Sequence, residues 1–178
     1  IMKWAAVIFL GLTAAFTWIY LGNRNWALPY AITFGTCCYH FAMRLLVGYT
    51  LDHIMRNRAD YSRRWYQLRP FEAKVYKALG VKKWKGNMPT YNPSLFDPKL
   101  HSWDEIAQTM CQAEIVHEVI ILFSFLPLLA AIPFGSFPVF LITSILAAMY
   151  DLTFVIMQRY NRPRLVRILA KKEASGRE

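Results

Sequence analysis

Hydrophobic residues in this chain come in long blocks, and the charged residues collect between them. Trp4 to Gly22 holds no charged residue, and neither does Asn25 to Met43. Each block is close to the roughly 20 residues that a helix needs to cross a bilayer core. A third block, Val119 to Tyr150, runs for 32 uncharged residues. As a single helix it would be about 48 Å long, too long for one upright crossing. Pro127, Pro133, Gly135 and Pro138 interrupt it, and "IPFGSFP" (132–138) reads as a turn. The pattern predicts an all-α membrane protein, one membrane domain of four transmembrane helices arranged as two hairpins. The helices fall at about 3–22, 26–50, 112–131 and 138–159, with a loop over 51–111 and a basic tail over 160–178. Lys3 ahead of the first block suggests a signal peptide, but the block outruns an h-region of about 7–15 residues and no A-x-A-like site follows. It is read as a retained helix.

The loop between the hairpins mixes charge with aromatic residues. "PFEAKVYKAL" (70–79) opens on Pro and is followed by Gly80, which suit a helix start and stop. Its alternating apolar and charged positions predict an amphipathic helix on the membrane surface. "VKKWKGNMPTYNPSLFDP" (81–98) has three prolines and should be irregular, with Trp84 and Lys85 at headgroup level. Ser102 and Glu105 form a capping-box pattern, so a helix starting there would run on into the third span.

Charge orients this picture. The 178 residues carry 21 Lys+Arg against 11 Asp+Glu, a net charge of +10. Eleven of those cations lie between Asp52 and Ile115, seven lie from Arg159 onward, and the two short turns hold only Arg24. The positive-inside rule then places both termini and the long loop on the cytoplasmic side of the cell membrane. Anionic headgroups account for the charge, and without a recognition motif nucleic acid is not the expected partner. Cys37, Cys38 and Cys111 make neither a Cys-x-x-Cys nor an even framework, which disfavours structural zinc and a disulfide scaffold.

The candidate chemistry sits inside the helices. His40 and Arg44 lie 16 and 20 residues past Arg24; Glu114, His117 and Glu118 lie 21, 18 and 17 before Gly135; Asp151 lies 16 after it. At the helical rise, all fall roughly 24–32 Å from the outer turns, at one depth near the cytoplasmic edge. Spacings of three and four keep each set on one helical face, and ionisable groups at such depth should face the bundle interior. A purely structural ion network is the plain alternative. Histidine titrates near neutrality, so His117 is the candidate general base, with Glu114, Glu118 or Asp151 as the carboxylate that orients it. His40 completes the catalytic candidates. Di-iron bundles use two Glu-x-x-His motifs plus two further carboxylates, but the chain has one copy, so no metal is assigned.

Three stretches carry a family resemblance. "VKKWKGNMP" (81–89), "QAEIVHEVIILFSFLPLL" (112–129) and "QRYNRPRL" (158–165) resemble the glycosyl-4,4'-diaponeurosporenoate acyltransferase family over about residues 60–170. The resemblance implies transfer of a fatty acyl chain to a sugar hydroxyl of a membrane glycolipid, such as a glycosyl carotenoid. It matches Glu114 and His117 to the family's Ala-Glu-x-x-His element and Gln158, Arg159, Asn161, Arg162 and Arg164 to its Arg-rich end. Acyl-CoA or a phospholipid is the expected donor, with no bound cofactor. Arg159, Arg162 and Arg164 are candidates for its phosphates, Arg44 or Arg159 for the oxyanion, and Trp84 and Lys85 join the substrate-binding set. Two other readings remain: a non-catalytic membrane subunit or lipid-binding component working with a membrane protein partner, and a metal-dependent enzyme using Glu-x-x-His. "NRP" (161–163) predicts a bend after the fourth helix, with the basic tail along the surface.

Overall fold

The computed structural model describes residues 2–90 and 92–175, and among these every regular element is helical. Seven α-helices follow in order: α1 (Met2–Leu21), α2 (Leu28–Met55), α3 (Pro70–Ala78), α4 (Val81–Trp84), α5 (Trp103–Phe123), α6 (Ala131–Phe134) and α7 (Phe137–Ser175). Among the described residues, three stretches are long and apolar enough to cross a membrane: Met2–Leu21, Trp103–Phe134 and Phe137–Lys172. Four were expected. At 28 residues α2 is long enough, but Thr33, Thr36, His40 and Arg44 dilute its apolar run.

The local signals act where they stand. Pro70 opens α3, where a missing N–H costs nothing, and Gly80 follows it at φ 62°, a left-handed conformation that most residues resist. At α5, the Glu105 N–H donates to Ser102 Oγ at 3.2 Å and the Ser102 N–H donates back to Glu105 Oε2 at 2.8 Å. The predicted turn also forms, with Gly135 at φ 70° and Ser136 at φ 55° ahead of α7. The segment expected to be irregular contains α4 and short 3₁₀ turns at Lys85–Asn87 and Pro93–Phe96.

Three boundaries differ from expectation, two of them at prolines; the other is α2, which runs on to Met55 past the expected end at residue 50. The third span was expected as one helix to residue 131, but α5 stops at Phe123 and a 3₁₀ turn covers Leu126–Ala130. Pro127 has no N–H for the Phe123 carbonyl four residues back, and that carbonyl instead accepts the Tyr39 hydroxyl at 2.8 Å. Pro163 does the opposite of what was expected. The helix does not end there, and α7 runs through Pro163 to Ser175. The buried side chains of Arg159 and Arg162 tie the helix down beside that proline, which offsets the lost backbone bond.

The chain forms two compact units. The first joins the chain up to Thr50 with Ile120–Ala148. Aromatic rings from α1 and α2 hold it: Phe9 stacks on Phe41 with centroids 5.5 Å apart, and Phe16 on Tyr30 at 5.1 Å. The second unit joins Leu51–Val119 with the chain from Met149 onward. There Gln112 takes the Asn57 N–H at 2.6 Å and donates to Asp52 at 3.0 Å, closing the end of α2 where Arg56 and Asn57 turn left-handed.

Candidate active site

In the second unit, Glu114 of α5 is the centre of a buried ion cluster. Its side chain is wholly enclosed, with Arg159 Nη1 at 2.5 Å from Oε1 and Arg162 Nη1 at 2.5 Å from Oε2. Arg159 also reaches Glu72 of α3, Nε to Oε1 at 2.7 Å and Nη2 to Oε2 at 3.0 Å. Its remaining N–H bonds go to the carbonyls of Trp65 at 2.9 Å and Gln67 at 3.2 Å. All five guanidinium donors of Arg159 are therefore committed. Arg162, 2% exposed, donates to the Tyr66 carbonyl at 2.5 Å and lies over the Tyr66 ring at 5.1 Å.

Two arginines thus hold three successive carbonyls, 65 to 67, at the end of a single 3₁₀ turn over Arg64–Tyr66, where they lack a ladder of their own. Two carboxylates balance two guanidiniums, and every partner is hydrogen-bonded, which is the condition for burying charge at tolerable cost. Burial by itself would raise the Glu72 carboxyl, but the bonds from Arg159, the Arg69 N–H and Tyr76 hold it below the usual carboxylate range. Burial, followed by the Glu72 charge, pushes the Tyr76 hydroxyl up to about 12.

His117, one turn along α5, has a different partner. Its Nδ1 lies 2.9 Å from Asp151 Oδ1, and the ring stacks on Phe154 at 4.5 Å and 7°. The histidine is 22% exposed while the aspartate is buried. Among the described residues Nε2 has no protein partner, so the carboxylate holds one ring nitrogen and leaves the other open. The two members of Glu-x-x-His therefore turn to different groups, Glu114 to the arginines and His117 to Asp151. Three residues on a helix advance by 300°, enough to separate two neighbouring side chains.

The remaining candidates are placed as follows. Glu118 Oε2 accepts the Trp65 indole N–H at 3.0 Å. Lys85 is bonded to Asn161 and sits 4.9 Å from the Tyr160 ring centroid. Burial, then the charges of Arg164 and Lys82, push the Lys85 ammonium down, so three cations gather there. Trp84 donates its indole N–H to Leu79, and Gln158 is buried. His40 and Arg44 belong to the first unit, where Arg44 donates to the carbonyls of His40 at 3.0 Å and Ala147 at 3.4 Å.

Sequence reasoning missed Glu72, Trp65 and Tyr76. Glu72 and Tyr76 are four apart on α3 and share its buried face, a signal hidden by the apolar residues beside them. A groove of roughly 260 Å³ opens beside these groups, lined among others by Trp65, Glu72, Tyr76, Glu118 and Arg159.

A family model described as glycosyl-4,4'-diaponeurosporenoate acyltransferase matches residues 62–171. The matched stretch holds Glu72, Glu114, Arg159 and Arg162, the His117–Asp151 pair, and Lys85 with Asn161. His40 and Arg44 precede it. No curated protein and no solved structure matches the chain.

Proposed function

The chain belongs to the glycosyl-4,4'-diaponeurosporenoate acyltransferase family, and on that premise we propose that it is a membrane O-acyltransferase with His117 as its general base. The observation that carries the reading is the His117–Asp151 contact of 2.9 Å with Nε2 left open. A carboxylate on Nδ1 fixes the tautomer with its proton on Nδ1, so Nε2 presents a lone pair to an acceptor hydroxyl. The hydroxyl oxygen attacks the acyl carbonyl as its proton passes to Nε2. The tetrahedral intermediate then collapses, the carbon–sulfur or carbon–oxygen bond to the donor breaks, and the leaving group takes the proton back from the imidazolium. Asp151 stays charged and stabilises that imidazolium.

The acceptor in this reading is a sugar hydroxyl of a glycolipid, the donor acyl-CoA or a phospholipid. Lys82, Lys85 and Arg164 form the cationic cluster that suits donor phosphates. Arg159 and Arg162 build the site instead, since their charge is matched by Glu72 and Glu114. Four crossings belong to the same reading, with α2 as the fourth, and both termini and the segment between the hairpins lie on the cytoplasmic side of the cell membrane.

The test uses purified protein in lipid nanodiscs, given radiolabelled acyl-CoA or phospholipid and an alkyl glycoside. Wild type should form the acylated glycoside. His117→Ala and Asp151→Asn should each lose about 10²–10⁴-fold in kcat while remaining folded. Full activity in His117→Ala would sink the assignment.

A further inference from the structure

α3 is amphipathic in reverse. Its buried face carries Glu72 and Tyr76, while Phe71, Val75 and Leu79, at successive spacings of four, are 59%, 45% and 52% exposed. A helix on a water-facing loop would bury the apolar stripe and expose the glutamate. Lys74 and Lys77 are also exposed on this helix, and Lys82 and Lys83 follow it. Apolar and basic side chains displayed together are the signature of a helix seated in a lipid headgroup layer. The same helix lines the groove, and Phe71, Glu72 and Tyr76 of this one element all reach its wall.

The groove's chemistry selects the ligand. Trp65 is a large exposed aromatic face beside it, held through its indole N–H to Glu118 Oε2. Glu118 Oε1 has no protein partner among the described residues, leaving an acceptor aimed at hydroxyl donors. Ile156 and Leu152 of α7 continue the wall with apolar surface. Two carboxylates and two arginines line the groove. Glu72 and Arg159 neutralise each other, and Arg159 is already saturated by protein acceptors, so Glu118 and Arg69 remain and the groove carries no net charge. A neutral ring of hydroxyls fits: its apolar face on Trp65 and a hydroxyl on Glu118.

We propose that this groove binds the sugar head of a membrane amphiphile, which slides in sideways from the lipid while its tail stays in the bilayer. The inference rests on the glycolipid reading above and adds the site and the residues that hold the acceptor.

The experiment is photolabelling in phosphatidylcholine nanodiscs with dodecyl β-glucoside bearing a diazirine on its sugar ring, followed by peptide mapping. Label should fall on residues 65–76, on Glu118 and on 152–156, and unlabelled dodecyl β-glucoside should compete for it while dodecylphosphocholine does not. Trp65→Ala and Glu118→Gln should each weaken labelling by about tenfold, the loss of one stacking or charged hydrogen-bond contact. Glu118→Gln keeps the side-chain volume and decides between the outcomes if Trp65→Ala does not fold. His117→Ala should label as wild type, which separates this site from the catalytic assignment: an active His117→Ala overturns the base and leaves the groove standing. Label elsewhere, unchanged labelling in Glu118→Gln, or equal competition by dodecylphosphocholine overturns the groove.

Discussion

The two units are built on opposite principles. The first keeps α1 and α2 together with rings, Phe9 on Phe41 and Phe16 on Tyr30, and shows large apolar side chains such as Trp18 and Ile132 on its outside. The second is organised around Glu114, Glu72, Arg159 and Arg162, four charges enclosed with their partners. Ring packing is mostly apolar burial with a modest orientation-dependent part, and its loss is graded. A buried charge that loses its counter-ion has nowhere to go. The first unit should therefore tolerate exchange of side chains, and the second should not.

Glu114→Gln tests this most severely. It leaves Arg159 and Arg162 enclosed with two charges and one remaining carboxylate. Breaking a buried pair in this way costs about 3–5 kcal/mol, and thermal unfolding in detergent should show the variant much the least stable of the set. Replacing Glu114 and Arg162 together by Leu and Met should be milder than either single change, because the cost lies in the orphaned partner. A Glu114→Gln protein as stable as wild type would make the cluster incidental to the fold.

Acid should find the second unit first. The folded Glu72 carboxyl lies below its ordinary 4.5. Its contribution to stability is therefore complete above about that value and lost as pH falls through the lower folded value. A titration of unfolding temperature against pH should show an acid limb that Glu72→Gln removes, together with the stability lost at neutral pH. Substitutions confined to the rings of the first unit should leave that limb where it is.

Much of the local structure was legible in the sequence, whereas the division into two units was not, and the illegible part has a common cause. The start of α3 at Pro70, its end at Gly80, the Ser102–Glu105 cap and the turn at Gly135 are local, each decided by a few neighbouring residues. The partners of Glu114 are 45 and 48 positions away, and no local pattern names them. The candidates for orienting His117 included Asp151, but only the fold could choose it over Glu118, which turns to Trp65 instead. Glu72 was hidden more deeply. The pattern of α3 marks an amphipathic helix without saying which face is covered, and here the covered face is the polar one. Pro163 shows the same limit: its backbone preference predicts a break, and tertiary bonds from Arg159 and Arg162 override it.

The first unit should respond by degrees. Phe16→Leu keeps most of the apolar volume and removes the ring contacts with Tyr30 and Phe34. The expected cost is about 0.5–1.5 kcal/mol, the range for an aromatic pair beyond its area, read as a small fall in unfolding temperature. A loss as large as that of Glu114→Gln would break the contrast between the units.

The smallest effects come from one substitution made in both units, glycine to alanine, and they should differ in sign. Gly80 sits at φ 62°, and the nearest atom to an added Cβ is Lys83 Cδ at 3.9 Å, an ordinary contact. The penalty is therefore conformational alone, about 1–2 kcal/mol for placing an L-residue in the left-handed region, and Gly80→Asn should recover part of it because asparagine tolerates that region. Gly11 lies inside α1 with nothing within 4 Å of the position an added Cβ would take. Alanine there removes backbone freedom from the unfolded chain and should stabilise by about 0.5–1 kcal/mol. Paired unfolding curves would check both signs. If Gly11→Ala destabilises instead, something outside this chain presses on that face of α1, and the open exterior of the first unit is an interface with a second membrane protein.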